Sequence, residues 1–522
     1  MKLVTLDQMR ALEKEADSRG LSYVQMMLNA GRGLAELIIE RFQDCENKTI
    51  LGLVGSGNNG GDTLVALTEL TRKGWKPTAY LIKPREKGDQ RLKEFRDAGG
   101  KFFSAQEDLG FKRLLQLLRK STVLLDGVLG TGIQLPLKGQ AAETLRIVAN
   151  FIPKPFTIAV DCPSGVDCAS GEAAHECIPA DLTVCMAAVK TGLLRFPAFN
   201  FVGELEIVEI GLPQDLTAWG NSGDQVIDSQ LVANFLPPRP LDVHKGSFGT
   251  AMIVAGSVNY AGAPLLAGRA AYRVGAGLLR IGIPEPLYTP LSGQLPEATW
   301  MVLPHTDGVI NADAAGIIKH NLNKITALLL GPGWGTALAT CNFLKDLLSK
   351  NNQPTGLENI HLPPLVLDAE GLRLLAQIPD WHKQLPQSTV LTPHPGEMAA
   401  LCGLAIETIQ QDRLEIARRF AVQWGLVLVL KGALTVIASP QGQVMIVPLA
   451  TPALARAGSG DVLAGMIVGL IAQGLSGFNA AISAAWIHAR AGMLAAKWLG
   501  SSASVLASDV IAAIPQVLNS LG

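Results

Sequence analysis

The 522-residue chain is too long to fold around a single hydrophobic core, so we expect at least two domains. Hydrophobic residues make up 48% of the chain and charged residues 17%, a composition typical of globular proteins with large buried sheets. The formal net charge of −1 argues against a surface that binds nucleic acid or a membrane.

The chain contains seven cysteines, an odd number, and none of them forms a Cys-x-x-Cys pair. This pattern predicts free thiols in a reducing cytoplasm and argues against a disulfide framework or a zinc site. Acidic residues near the N-terminus argue against a secretion signal. The longest apolar run, 462–475, is broken by glycines and too short to span a bilayer, so we expect a soluble protein.

The first half of the chain has apolar residues at helical spacing over 3–42 and then alternates strands with helices. Its strands are predicted at 49–54, 78–82, 122–125, 156–160, 182–186 and 205–210, with a helix that begins near Leu64. The alternation predicts an α/β fold, in which helices cover both faces of a parallel sheet and ligands bind at the carboxyl ends of the strands.

Turn-forming residues and a Pro-Pro-Arg-Pro cluster interrupt this alternation over 211–247 and indicate a connection between domains. We place the boundary near residue 222, which predicts domains of 1–222 and 223–522. A second series follows, with a helix at 263–274, helices after Asp461, strands at 250–254, 278–283, 327–330, 365–367, 389–391 and 426–430, and a hairpin of 434–438 and 444–447.

Residues 457–465 read AGSGDVLAG and predict a helix start with Asp461 in its first turn. Small residues there let backbone N–H groups come close to an anion, which the helix dipole also favours. A carboxylate beside an anion site can take a proton from a hydroxyl that attacks a phosphoryl group. On this stretch alone, a glycine-rich helix start with Asp461 as an ordinary cap is an equally good interpretation.

Residues 55–63 read GSGNNGGDT and directly follow a predicted strand. The glycines would let a ligand approach the backbone, and Asn58, Asn59 and Asp62 offer polar contacts. The spacing is not that of the dinucleotide fingerprint, and no acidic residue is placed to bind a ribose, which argues against a hydride-transfer dehydrogenase. A polar turn is the alternative interpretation.

Further strand ends in the first half carry polar residues: Asp126 opens DGVLGTG, Asp161 and Ser164 lie in DCPSG, and Lys190 follows the next strand. Oxygen atoms from several loops at one edge of a sheet suit a hard cation. A lysine near a carboxylate can act in acid–base chemistry when burial tunes the two pKa values. For each residue taken alone, a satisfied turn aspartate or a surface lysine is the better interpretation.

In the second half, His394 lies between two prolines in TPHPGE, residues 431–435 read KGALT, and residues 331–335 read GPGWG. Amides and an ammonium group in KGALT could hold phosphates. Each stretch could also be only a turn, and a lone histidine is most often structural. Together with AGSGD in one predicted sheet, they favour nucleotide and phosphate chemistry.

Both halves resemble a known family in the order and number of these motifs. GSGNNGGD, DGVLGTG and DCPSG are similar to NAD(P)H-hydrate epimerases. HKGSFGT, the GAP at 262–264, GPGWG, LTPHPGE, LVLKGA and AGSGDVLAG are similar to ADP/ATP-dependent NAD(P)H-hydrate dehydratases of the ribokinase-like superfamily. The chain thus resembles, over essentially its whole length, the bifunctional NAD(P)H-hydrate repair enzymes.

The resemblance implies two three-layer αβα domains, an N-terminal Rossmann-like epimerase and a C-terminal ribokinase-like dehydratase. The first would interconvert the R and S forms of hydrated NADH or NADPH. The second would dehydrate the S form at the expense of ADP (or ATP) through a phosphorylated intermediate. Mg²⁺ and K⁺ are the expected cofactors, and we expect a cytoplasmic enzyme that forms a homo-oligomer.

The resemblance also assigns site residues. Asp161 and Lys190 would carry the acid–base work of the epimerase, and Asp461 would deprotonate the hydrate in the dehydratase. The epimerase would bind the hydrate through Asn58, Asn59, Gly60, Gly61, Asp62, Gly130, Thr131, Gly132, Ile133, Gln134, Leu135, Pro136 and Asp161, and K⁺ through Asn59, Asp126 and Ser164. The dehydratase would bind the hydrate through Ala263, Gly333, His394 and Asp461, and the nucleotide through Lys431, Gly432, Ala433, Leu434, Thr435 and Gly460.

Three positions depart from the family pattern. Thr63 stands where we expect glycine, Glu370 where aspartate is usual, and Arg456 where a small or polar residue is expected. Two other functions remain open at this point. The second half could be a small-molecule kinase, and the first half could be a non-catalytic binding or scaffold module.

Overall fold

The computed structural model describes residues 1–85, 88–220, 223–349 and 361–522. The chain forms two compact units, Met1–Asp224 and Gln225–Gly522. The boundary predicted at residue 222 lies outside the described residues, two positions before the first unit ends. Among the described residues, no helix combines the length and the apolar character that crossing a membrane requires.

The first unit contains a seven-stranded sheet in which every strand pairs in parallel with its neighbours, in the order β4-β3-β2-β5-β6-β7-β9. Strands β1 and β8 form a separate parallel pair. The strands are β1 Leu3–Val4, β2 Thr49–Val54, β3 Lys76–Leu81, β4 Lys101–Ser104, β5 Val123–Gly127, β6 Phe156–Val160, β7 Leu182–Met186, β8 Val189–Lys190 and β9 Glu204–Val208. The helices are α1 Leu6–Ser18, α2 Tyr23–Arg41, α3 Asn58–Arg72, α4 Gln90–Asp97, α5 Lys112–Lys120 and α6 Gly139–Ala149.

Helices cover both faces of this sheet, because alternate residues of its strands enter two different cores. Ile50 and Val54 of β2 lie in a core that includes residues of α1, α2 and α3. Leu51 and Leu53 lie in a second core with residues of α5 and α6. The period-two alternation of strand side chains therefore produces a three-layer αβα unit.

The second unit contains a ten-stranded sheet in the order β10-β21-β20-β19-β18-β17-β16-β11-β12-β13. Strands β20 and β21, which form the predicted hairpin, pair antiparallel. The strands are β10 Gln225–Val226, β11 Thr250–Val254, β12 Leu278–Pro284, β13 Thr299–Leu303, β14 His305–Thr306, β15 Val309–Ile310, β16 Ala327–Leu330, β17 Leu365–Leu367, β18 Val390–Leu391, β19 Val427–Leu430, β20 Val436–Ala438 and β21 Val444–Ile446. The helices are α7 Ser229–Phe235, α8 Ala263–Arg273, α9 Tyr288–Ser292, α10 Ala314–His320, α11 Leu338–Leu348, α12 Glu370–Leu375, α13 Pro395–Cys402, α14 Ile406–Gln411, α15 Arg413–Trp424, α16 Ser459–Ala472, α17 Gly477–Leu499 and α18 Ala507–Asn519.

The predicted α/β fold is confirmed, and the strand order shows where each sheet can hold a ligand. In the first unit the chain leaves β2 toward β3 and later returns to β5 on the other side of β2. In the second unit it leaves β11 toward β12 and returns to β16 on the other side. Ligands bind outside the carboxyl ends of strands at such points of reversal, so the loops after β2, β5, β11 and β16 are placed for binding.

The prediction that a helix begins near Leu64 is wrong, because α3 already begins at Asn58. Two close contacts made by the backbones of Gly60 and Gly61 explain this difference. A Cβ atom at Gly60 would lie 2.1 Å from Gly55 O, and one at Gly61 would lie 2.7 Å from Met27. Tertiary packing thus outweighs the low helix propensity of an Asn-Asn-Gly-Gly run. The helical prediction over 3–42 also missed the short strand β1, and β4 and β13 were not predicted.

Thr63, the first departure from the family pattern, fills space where α3 crosses β5. Its hydroxyl donates a 2.7 Å hydrogen bond to Asn59 O, and the residue is fully buried. A Cβ atom at Gly127 would lie 1.9 Å from Thr63 Oγ1. The threonine therefore requires a glycine opposite it and leaves the first turn of α3 intact.

We predict that Gly127→Ala lowers the free energy of unfolding by about 1–3 kcal/mol, because the added methyl group overpacks the contact with Thr63. Urea unfolding of the full chain measures this loss. Gly316→Ala is the control, since a Cβ atom at Gly316 meets nothing within 4 Å. Equal stability of the Gly127→Ala variant and the unmodified chain would contradict the contact.

Candidate active sites

Asn59, Asp126 and Ser164 come together where β5 and β6 end. Asn59 Nδ2 donates to Val160 O at 2.5 Å and lies 3.4 Å from Leu129 O. Ser164 donates its hydroxyl to Asp126 Oδ1 at 2.5 Å and its amide to Asp126 Oδ2 at 2.8 Å. Burial raises the pKa of Asp126, although both hydrogen bonds from Ser164 oppose that change. The three residues predicted to hold K⁺ therefore form one oxygen-rich cluster.

Asp161 and Lys190 form a buried ion pair beside this cluster. Asp161 has a left-handed backbone, with φ 67°, and its Oδ1 also accepts the Met186 amide at 2.9 Å. Lys190 Nζ donates a second bond to Met186 O at 3.2 Å, and only 1% of the Lys190 side chain is exposed. Burial alone would lower the pKa of Lys190, but the Asp161 carboxylate outweighs it and raises that pKa. Lys190 is therefore protonated at neutral pH.

Two further carboxyl groups interact with this pair. Burial raises the pKa of Asp62 well above its ordinary value, and the negative charges of Asp161 and Glu13 add to that effect. Burial also raises the pKa of Glu13. Glu13 lies on α1, which follows a strand whose Val4 pairs with Lys190. The sequence analysis missed Glu13, because only the pairing of β1 with β8 brings α1 to this site.

Only part of the predicted hydrate-binding segment 130–136 is in contact with the cluster of Asn59, Asp126 and Ser164. A Cβ atom at Gly130 would lie 2.3 Å from Asn59 Oδ1, so the two residues are in contact. Thr131 and Ile133 are half-buried, whereas Gly132, Gln134, Leu135 and Pro136 are exposed. Within the described part of the chain, these exposed residues form no hydrogen bond to Asp161 or Lys190.

In the second unit, Asp461 lies in the first turn of α16, as predicted. The N-cap residue is Gly458, and the helix start has no side-chain cap, so Asp461 is not an ordinary capping residue. Burial raises the pKa of Asp461 to about 7, and the negative charge of Asp368 adds to that effect. A carboxyl group with a pKa near neutral pH can act as a proton acceptor.

Lys431 and Asp368 form the ion pair around which the other groups of this site lie. Lys431 Nζ is 2.5 Å from Asp368 Oδ1, which also accepts the Thr392 hydroxyl at 2.7 Å. A Cβ atom at Gly460 would lie 3.6 Å from Lys431 Nζ and 3.8 Å from Asp368 Oδ2, so the start of α16 lies beside the pair. Burial alone would lower the pKa of Lys431, but the negative charges of Asp368 and Glu397 outweigh this effect, so the pKa of Lys431 is raised.

His394 is the N-cap residue of α13. Its Nδ1 accepts the amides of Gly396 at 3.0 Å and Glu397 at 3.3 Å, so the neutral ring carries its proton on Nε2. Burial and the charge of Lys431 lower the pKa of His394, which keeps the ring neutral. Glu397 Oε1 lies 3.3 Å from Nε2, and Glu397 Oε2 lies 3.7 Å from Lys431 Nζ. Glu397, which the sequence analysis did not single out, thus connects two predicted binding residues.

Ala263 and Gly333 meet at the point of reversal between β11 and β16. A Cβ atom at Gly333 would lie 2.9 Å from the Ala263 side chain. Gly333 O accepts the Ser257 hydroxyl at 2.8 Å, and its amide donates to Glu370 Oε2 at 3.2 Å. Glu370, the second departure from the family pattern, therefore holds the GPGWG loop rather than disrupting the site.

Arg456, the third departure from the family pattern, donates a hydrogen bond to Ala503 O and is exposed.

His488, on α17, is a buried residue that the sequence analysis missed. Burial lowers its pKa to about 4, and its ring interacts with the backbone of Ser459 at the start of α16. In the sequence, His488 is a single histidine in an apolar helix, a pattern that a purely structural histidine would also show. Across the described part of the chain, no group of three or more His, Cys, Asp or Glu residues is arranged to hold a metal ion.

We predict that Lys190→Met destabilises the first unit by about 3–5 kcal/mol at pH 7, because it leaves the Asp161 carboxylate buried without a cation. The loss should be smaller at pH 5, since an unpaired buried carboxyl has a raised pKa and can take a proton there. Urea unfolding at both pH values measures the difference. Lys93→Met, at an exposed lysine of α4, is the control. A loss that is equal at the two pH values would contradict this account.

Two family models match the chain. Residues 251–516 match NAD(P)H-hydrate dehydratase, and residues 24–192 match YjeF-related protein N-terminus. A crystal structure of the ADP/ATP-dependent NAD(P)H-hydrate dehydratase from Bacillus subtilis, co-crystallized with ATP/Mg²⁺, is 31% identical with a TM-score of 0.47. The match covers 56% of this chain and 98% of that chain.

Curated relatives match both units together. The bifunctional NAD(P)H-hydrate repair enzyme of Moorella thermoacetica is 37% identical, over 100% of this chain and 97% of the relative. The enzyme of the same name from Dictyoglomus turgidum is 30% identical, over 100% of this chain and 99% of the relative. The resemblance seen in the motifs is thereby confirmed, and the chain belongs to the family of bifunctional NAD(P)H-hydrate repair enzymes.

Proposed function

We propose that the second unit dehydrates the S form of NADHX and NADPHX at the expense of ADP or ATP, and that the first unit interconverts the R and S forms. The assignment follows the predicted domains, 1–222 for the epimerase and 223–522 for the dehydratase. The observation that carries the proposal is the carboxyl group of Asp461, with a pKa of about 7, in the first turn of a helix beside the Lys431 ammonium.

Asp461 starts the dehydration by removing the proton of the hydrate's hydroxyl group. The hydroxyl oxygen then attacks the terminal phosphoryl group of the nucleotide, and the bond from that group to AMP or ADP breaks. Phosphate next leaves with the electron pair of the carbon–oxygen bond, while the ring nitrogen supplies a pair to form a C=N bond. Loss of a ring proton restores NAD(P)H. Phosphorylation is needed because hydroxide is a poor leaving group and phosphate a good one.

The nucleotide phosphates would lie against Lys431, the loop 432–435 and Gly460. The hydrate would lie against Ala263, Gly333 and His394, where the neutral His394 ring can donate only from Nε2. Asp368 Oδ2 accepts no hydrogen bond from the described residues and lies near Gly460, so it fits a nucleotide-bound Mg²⁺. When bound, Mg²⁺ would neutralise phosphate charge. ADP is the favoured donor.

In the first unit, the Asp161–Lys190 pair would carry the acid–base chemistry of epimerisation, with residues 58–62 and 130–136 around the hydrate. The buried carboxyl of Asp62 has a raised pKa and can supply a further proton. The cluster offers one carboxylate, from Asp126, and neutral oxygens from Asn59 and Ser164. This set of ligands fits a monovalent cation such as K⁺. We further propose a cytoplasmic homo-oligomer, which the exposed Tyr23, Val24 and Trp498 side chains support.

We predict that Asp461→Asn lowers dehydration by about 10²- to 10⁴-fold, the usual contribution of a general base, and leaves epimerisation nearly unchanged. Absorbance of NADH formed from the pure S epimer, with ADP or ATP, measures dehydration, and chromatographic separation of the R and S epimers measures epimerisation without requiring dehydration. Asp161→Ala is the reciprocal variant and should abolish only epimerisation. If either variant removed both activities, the two-site assignment would be wrong.

We also predict that kcat/KM for dehydration rises with pH through a midpoint near pH 7 and then levels off, because Asp461 accepts a proton only as the carboxylate. Glu397 also has a pKa of about 7, so the profile should be repeated with Glu397→Gln. A midpoint that stays in place in this variant assigns it to Asp461. A profile that is flat between pH 5.5 and 8.5 would rule out a general base of this kind.

A further inference from the structure

Arg413, the first residue of α15, lies directly beneath the KGALT loop. Its Nη2 donates to Leu430 O at 2.8 Å and to Lys431 O at 3.2 Å, and its Nη1 donates to Gln410 at 2.8 Å. A Cβ atom at Gly432 would lie 3.1 Å from Arg413 Nη2, so the guanidinium and the loop are in contact. No motif in the sequence singled this residue out.

The charge of Arg413 has no acidic partner among the described residues. Its Nε is buried and forms no hydrogen bond there. Burial lowers the pKa of Arg413 to about 10, which still leaves the group protonated at pH 7. A mostly buried cation without a counter-ion is costly to stability, and a bound anion can supply the missing charge.

The hydrogen bonds of Arg413 also determine where the loop amides point. The Lys431–Gly432 peptide is trans, so its carbonyl and its N–H point in opposite directions. Because Lys431 O faces Arg413, the Gly432 amide faces away from the guanidinium. The amides of Gly432, Ala433 and Leu434 donate to no group in the described part of the chain. Gly432 and Leu434 have φ of 146° and 57°, and consecutive free amides in such a turn form an anion-binding concavity.

We propose that Arg413 is a positioning residue for the phosphates of the nucleoside diphosphate or triphosphate. It holds the loop so that three free amides face the phosphates, and it places under the loop a positive charge that the phosphates neutralise. The inference rests on the nucleotide site of the proposed function, and it adds a second cation to Lys431.

The test measures ADP and ATP binding by calorimetry on the full chain. Arg413→Gln should raise Kd about 10- to 100-fold and weaken its dependence on salt, because both the charge and the carbonyl bonds are lost. Arg413→Lys, which keeps the charge and one possible bond, should lose less affinity and keep the salt dependence. Arg419→Gln is the matched control, since Arg419 lies exposed on the same helix. In kinetics, KM for the nucleotide should rise while kcat, which depends on Asp461, changes little.

A purely structural role predicts a different result. The ligand-free Arg413→Gln protein would then melt at a lower temperature, and its nucleotide Kd and salt dependence would match those of the unmodified chain; that result would overturn the proposal. If Arg413→Gln did not fold, a nucleotide Kd of Arg413→Lys equal to that of the unmodified chain would overturn the proposal equally. Failure of the unmodified chain to bind either nucleotide would instead refute the nucleotide site of the proposed function.

Discussion

The second unit depends on one buried interaction, the ion pair of Lys431 and Asp368 at the carboxyl ends of β19 and β17. Lys431 would be unfavourable in this partly buried place without a carboxylate at 2.5 Å. Burial and the charge of Asp368 raise the pKa of Asp461, and Glu397 connects the same lysine to His394. The proposed proton acceptor, the histidine proposed to bind the hydrate and the loop proposed to bind phosphate are thus electrostatically coupled through a single ammonium group.

The first unit repeats this arrangement with unrelated residues. Lys190 is buried against Asp161, and a second carboxyl group, that of Asp62, has a raised pKa beside the pair. In each unit, burial and the negative charge of the paired aspartate raise the pKa of the neighbouring carboxyl group. A carboxyl group with a raised pKa can transfer protons near pH 7, and a parallel sheet can bring such a group beside an ion pair because its strand ends meet at one edge.

Much of the site could be predicted because its residues follow buried strands directly. Asp126, Asp161 and Lys431 each end or follow a run of apolar residues, and the alternation of elements places such ends at one edge. Asp368 follows β17 in the same way, but the sequence analysis did not single it out. The glycines were harder to interpret. Gly60 and Gly61 allow α3 to pack against the loop after β2 and against Met27, whereas the sequence analysis assigned them to ligand approach. Glycine patterns do not distinguish a ligand from a neighbouring element, since both need the same open space.

The sequence by itself determined the α/β class, the order of most strands and helices, the place of Asp461 in the first turn of a helix, and family membership through the motifs. Only the tertiary structure decided that Glu13 lies near Lys190, that Glu397 connects His394 to Lys431, and that Arg413 supports the KGALT loop. The physical reason is that periodicity and turn chemistry are local, whereas burial, charge pairing and pKa depend on residues far apart in the chain. In the sequence, Arg413 cannot be distinguished from an ordinary surface arginine. Only in the folded chain do the carbonyl groups of Leu430 and Lys431 lie against it.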